Sequence, residues 1–155
     1  GYAGQPDSWD QKTIYSGDLG LLDSAGYLSV SGRKKNLLIS SFGRNINPEW
    51  IESELLANTA IADAVVFGDD RPYCVALLFP RDPALTDHEI QGLVDSINNN
   101  LPDYARIARW QRFATALNSQ PGMLTDNGRP VRAAIFTAHQ AMLETLYPND
   151  TQVFQ

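Results

Sequence analysis

YLSVSGRKKNLLISSFGRNINPEWIE, residues 27–52, changes character twice along its length. YLSVSG alternates apolar and small polar residues and predicts a strand over 27–32. Three cations follow at 33–35, then the apolar run LLIS and a glycine-containing turn, SSFGRN. After the turn the chain enters a helix: Asn47 can cap it, Pro48 suits its first position, and Ile51 and Leu55 lie one turn apart on the inner face. The shift in composition from Arg33 to Lys35 marks the domain boundary.

Working outward toward the C-terminus, AVVFG at 64–68 and VALLFP at 75–80 read as buried strands. The turn DDRP between them favours chain reversal, so an antiparallel pair is predicted. Thr86 and Glu89 form a capping box before a helix whose apolar positions are Ile90, Leu93, Val94, Ile97 and Leu101. RWQRFA at 109–114 suggests another strand. After the polar loop LTDNGR a last helix is expected from Pro130, with Ile135, Ala138, Met142 and Leu146 on one stripe. Toward the N-terminus, Gly17, Gly20, Gly26 and Gly32 punctuate short apolar stretches, which predicts turns and small strands. The order ββ, α, ββ, α, β, α gives an α+β fold, a small mixed or antiparallel sheet covered by helices and preceded by a short β segment.

The chain has 155 residues, 43% of them apolar, enough to bury a core of its own. Twelve basic residues against eighteen acidic ones leave a net charge of −6. That balance argues against a general nucleic-acid or anionic-membrane binder, whose surface needs excess Lys and Arg. Cys74 is the single cysteine, so no intramolecular disulfide can form, and a cytoplasmic location is expected. The longest apolar run, CVALLF at 74–79, is far too short for an integral membrane segment. A start without Met or targeting signal leads us to expect a piece of a longer protein.

Three segments together resemble the adenylate-forming superfamily of acyl-CoA synthetases, luciferases and peptide-synthetase adenylation domains. They are YSGDLGLLDSAGYLSVSGRKKNLLIS at 15–40, SFGRNINPEWIE at 41–52 and LTDNGRPVRAAI at 124–135. Their order and spacing resemble that family's C-terminal motifs, and the GRKKN form looks most like bacterial long-chain fatty-acid CoA ligases. The resemblance implies that residues 1–33 are the tail of a large N-terminal adenylation domain and 34–155 a mobile C-terminal lid. It implies ATP, CoA and Mg2+ as cofactors, with the metal ligand in the missing N-terminal domain, and a carboxylic acid as substrate. The reaction implied is an acyl-adenylate formed with release of pyrophosphate, then displacement of AMP by a thiol after the lid rotates. The isolated chain is then expected to be inactive. Two alternatives stay open: loading of a carrier protein instead of CoA, and a non-catalytic interaction module that kept the lid fold.

Residue by residue, the resemblance assigns Asp18 to the ribose hydroxyls of the nucleotide, which a fixed acceptor-only carboxylate suits. Arg33 opens the lid motif near the nucleotide, and Lys35 falls at the hinge, where a solvated side chain and tolerant torsions are needed. Gly43 matches the turn glycine that approaches the pantetheine arm of CoA, since glycine permits positive φ and close backbone approach. Arg44 is a candidate phosphate contact, with a solvent-exposed role as the alternative. Arg129 departs from the family's pattern, which carries Lys at the catalytic position bridging carboxylate and α-phosphate. A planar fork replaces a compact ammonium there, so the alternative for Arg129 is a helix-entry charge. His88 and His139 lack partners at metal-ligand spacing and read as surface or packing residues. Cys74 reads as buried and inert. Glu49, Glu52 and Glu54 read as charges favouring the dipole of the helix they begin.

Overall fold

The computed structural model describes residues 16–148. β1 (Asp18–Leu22) and β2 (Leu28–Arg33) form an antiparallel hairpin in which Asp18 faces Arg33 and Leu22 faces Leu28. Asp23 closes it, its carboxylate accepting from the Ala25 and Tyr27 N–H groups at 2.9 Å each. The cations Lys34 and Lys35 occupy a single 3-10 turn, Lys34–Asn36. β3 (Leu38–Ile39) and β4 (Asn45–Ile46) make a second, minimal hairpin around SSFGRN.

α1 (Pro48–Ala57) starts as its sequence dictates: the Asn47 side chain accepts from the Glu49 N–H at 3.1 Å, and Pro48 stands in the first turn. β5 (Ile61–Phe67) and β6 (Cys74–Pro80) pair antiparallel, and β7 (Ile107–Arg112) adds parallel to β6 after the crossover through α2 (Asp87–Asn98). This mixed three-stranded sheet has order β5-β6-β7. The central strand, β6, reads as an apolar run because both its faces are covered, whereas the edge strand β7, IARWQR, is buried only at Ile107. Ala64, Val66, Cys74, Ala76 and Leu78 face α1 and α2 through Ile51, Leu55, Ile90 and Val94. Val65, Phe67, Val75 and Leu77 face the other way, onto Phe113, Leu117 and α3 (Arg132–Thr145). The period of two thus divides one sheet between two cores. The expected α+β architecture is the one observed.

Three details depart from the sequence reading. α2 ends at Asn98, short of Leu101, because the Asn98 side chain turns to bridge the Ile107 N–H and C=O, both at 2.9 Å; Leu101 is buried from the following turn. The last helix begins at Arg132, not Pro130: Pro130 bridges Leu124, and the Val131 N–H donates to the Met123 carbonyl at 2.8 Å. Ala138 is exposed, and the inner stripe is Ile135, Leu143 and Leu146. The register moves because α3 kinks at His139 (φ −116°, ψ 18°), whose ring packs edge-on against Phe113 at 5.2 Å between centroids. No helix among the described residues is long and apolar enough to cross a membrane.

Candidate functional site

Antiparallel pairing sets Asp18 beside Arg33, and the guanidinium Nε lies 2.9 Å from the Asp18 carboxylate with both side chains partly exposed. The Lys34 N–H extends the ladder by donating to the Gly17 carbonyl at 2.8 Å. On the other side of the turn, the Asn36 amide donates to the Glu49 carboxylate at 2.6 Å, tying it to the first turn of α1. Lys35 stands between these two ties, exposed and without a side-chain partner among the described residues.

The 3-10 turn opens onto a cleft of about 1520 Å³. Arg33, Lys35 and Arg129 all line it, so three of the expected site residues meet in space although Arg129 is remote in sequence. Arg129 ends a tight loop: the Thr125 N–H donates to the Arg129 carbonyl at 2.8 Å, the Gly128 N–H to the Thr125 carbonyl at 2.8 Å, and the Arg129 N–H to the Thr125 hydroxyl at 3.1 Å. Gly128 has φ +73°, a torsion this closure requires and glycine adopts without strain. The Arg129 guanidinium is exposed and has no partner among the described residues, which leaves its donors available to an anion. With the helix starting at Arg132, Arg129 lies in the loop three residues ahead of it.

Gly43 and Arg44 are not in this cleft. They sit in the β3–β4 turn, where Gly43 has φ +73° and its N–H donates to the Ser40 carbonyl at 2.8 Å. A Cβ built on Gly43 meets nothing within 4 Å, so the residue is demanded by torsion rather than by crowding. The Arg44 guanidinium lies over the Tyr104 ring, 5.8 Å from its centroid, and Phe42 at the tip is 76% exposed.

Glu52 is where the reading from sequence fails. Glu54 is exposed and Glu49 belongs to the first turn, but Glu52 is 6% exposed and points inward. One carboxylate oxygen accepts from the Val66 N–H at 2.7 Å and from Arg132 at 2.6 Å, and the other accepts from the second Arg132 nitrogen at 3.1 Å. Arg132 also donates to the Val66 carbonyl at 2.6 Å. Burial pushes the Glu52 carboxyl above the usual carboxylate value, and the bonds and charge of Arg132 pull it back. Both residues line the cleft. Their pairing joins positions eighty apart, which no local pattern announces.

Cys74 is fully buried, as expected, and His88 is exposed. His139 is a packing residue whose Nε2 has no hydrogen-bond partner among the described residues. No group of three His, Cys, Asp or Glu among the described residues is arranged to hold a metal ion.

A long-chain-fatty-acid–CoA ligase, FadD15 of Mycobacterium tuberculosis, is 41% identical over 72 residues, 46% of this chain and 11% of that protein. The chain therefore spans about a tenth of that relative's length. The adenylation domain of a carboxylate reductase from Mycobacterium chelonae superposes with a TM-score of 0.74 at 19% identity, over 85% of this chain and 22% of that one, a likeness of fold. O-succinylbenzoate coenzyme A synthetase from Bacillus subtilis, solved in complex with AMP, superposes with a TM-score of 0.58 at 31% identity over 76% of this chain and 23% of that one. The sequence profile of the AMP-binding enzyme C-terminal domain matches residues 35–151, from the 3-10 turn at Lys35 through the loop of Arg129 and the last helix. With most of its length inside that match, the chain belongs to the family of AMP-binding enzyme C-terminal domains.

Proposed function

We propose that residues 34–155 are the lid, and residues 1–33 the tail of the preceding adenylation domain, of an ATP-dependent carboxylate–CoA ligase working through an acyl-adenylate. The observation that carries this reading is the cleft in which Arg129, without a side-chain partner among the described residues, meets Arg33 and Lys35. A guanidinium with no hydrogen-bond partner among the described residues keeps its donors free for charge developing at a phosphate, and the closed loop fixes the backbone from which it reaches. Asp18 serves the ribose, Lys35 is the pivot, and the β3–β4 turn with Gly43 and Arg44 serves CoA when the lid has rotated. The substrate class we favour is a fatty acid, on the similarity to FadD15. Magnesium is assigned to the preceding domain, and the setting we favour is the cytoplasm, a reading supported by the single cysteine, free and buried.

The two half-reactions of the full-length protein separate the roles. Arg129→Ala should slow pyrophosphate exchange by on the order of a hundredfold, the scale of removing one positioned electrostatic group, while CoA-dependent consumption of supplied acyl-adenylate stays nearly intact. Unchanged exchange would overturn the catalytic role of Arg129. A non-catalytic module is the second reading, supported by the departure at Arg129, since the family's pattern has Lys there; wild-type protein inert toward every carboxylate tested would favour it.

A further inference from the structure

We propose that the pair of buried Glu52 and half-buried Arg132 is a positioning device for Arg129, fixing the backbone from which the loop presents its guanidinium to the cleft. This rests on the proposed role of Arg129 in adenylation.

Stability alone is a poor account of the pair. Two charges withdrawn from water recover their desolvation cost only with excellent geometry, and apolar residues of similar volume often do as well. What this pair supplies beyond stability is direction. A guanidinium fork held by both oxygens of one carboxylate, and at the same time by the Val66 carbonyl, has its plane and position set against α1 and β5. A lysine could not make that set of contacts.

The orientation is passed on through very little chain. Between the anchored Arg132 and Arg129 stand two residues. Pro130 has a fixed φ and bridges Leu124, and the Val131 N–H is bonded to the Met123 carbonyl. The loop then closes on itself through Thr125, Gly128 and Arg129. Few free backbone torsions therefore separate Arg132 from Arg129, and a shift of the anchor must reappear in the point from which the Arg129 side chain extends. In reactions limited by geometry, a displacement of that kind from outside the reacting centre can cost on the order of a hundredfold in rate.

The test uses the full-length protein with Glu52→Gln and Arg132→Lys, each measured in pyrophosphate exchange and in thioester formation from supplied acyl-adenylate. Positioning predicts that kcat for exchange falls by roughly tenfold to a hundredfold with KM for ATP nearly unchanged, and that thioester formation stays within about twofold. It also predicts non-additivity: in an Arg129→Ala background, Glu52→Gln should lower exchange no further. A parallel fall of both half-reactions, or full additivity with Arg129→Ala, would overturn the proposal and leave the pair a scaffold contact. Should Glu52→Gln fail to fold, Arg132→Lys carries the same two readouts, because it keeps the charge pair and gives up the fork. Wild-type protein without exchange overturns the ligase reading instead, so the two failures are distinguishable.

Discussion

Burial raises the Cys74 thiol from its ordinary 9.0 to about 11, since the thiolate would stand in the apolar core shared by the sheet, α1 and α2. The folded chain holds a proton there that the unfolded chain releases. Stability should fall as pH rises from about 9 toward 11, by about 1.4 kcal/mol per pH unit from this group. Urea unfolding at about pH 8 and pH 10.5 checks it: wild type should lose more than Cys74→Ala over that interval, and equal losses would show that Cys74 does not titrate differentially. Gly43 carries a second expectation. Its left-handed torsion with open space around Cβ makes the cost of Gly43→Ala purely conformational, about 1 kcal/mol by urea unfolding. Glycine at 43 and a capping Asn at 47 were legible in the sequence, because torsion and capping are set by near neighbours. The inward turn of Glu52 was not, because the same residue on the same helix would be solvated if Arg132 lay elsewhere.

Helix starts and stops show the same division one level up. The capping box of α2 forms as read: the Thr86 hydroxyl accepts from the Glu89 N–H at 3.2 Å and the Glu89 carboxylate accepts from the Thr86 N–H at 2.7 Å. Thr86→Ala should therefore cost about 1 kcal/mol in thermal or urea unfolding, whereas Thr86→Ser should be close to neutral. At the C-terminal end of α2 the helix yields to a long-range demand, since Asn98 is worth more to the backbone of Ile107 than to another helical turn. α3 behaves likewise. Its kink at His139 brings Leu143 rather than Ala138 into the core, a choice made by the Phe113 ring and not by helical periodicity.

At the scale of the molecule, the ties on either side of Lys35 define where a lid could pivot. Lys34 is bonded back to Gly17 and Asn36 forward to Glu49, so the torsions between them are the ones left to change. On the lid reading, Lys35→Pro in the full-length protein should impair thioester formation more than adenylation, because a fixed φ blocks one orientation. Equal loss of both half-reactions would point to misfolding. The fold also depends on the ion pair of Glu52, which is buried, with Arg132: Arg132→Ala strands the Glu52 carboxylate and should destabilise the fold by about 3 kcal/mol in urea unfolding. The isolated chain, holding a minority of the nucleotide contacts on this reading, should bind ATP far more weakly than a Kd of about 1 μM by calorimetry.

Apolar alternation, capping residues and turn glycines were enough to determine the α+β order, the antiparallel pairing of β5 and β6 and the starts of α1 and α2, because each is governed by contacts within a few residues. Family motifs marked Arg33, Lys35 and Arg129 as separate positions. Tertiary structure alone decided that these three share one cleft, that β7 runs parallel to β6, and that Glu52 is a buried anchor for Arg132. Those outcomes depend on which distant surfaces meet, and a charge changes from solvated to buried when its partner arrives from eighty residues away.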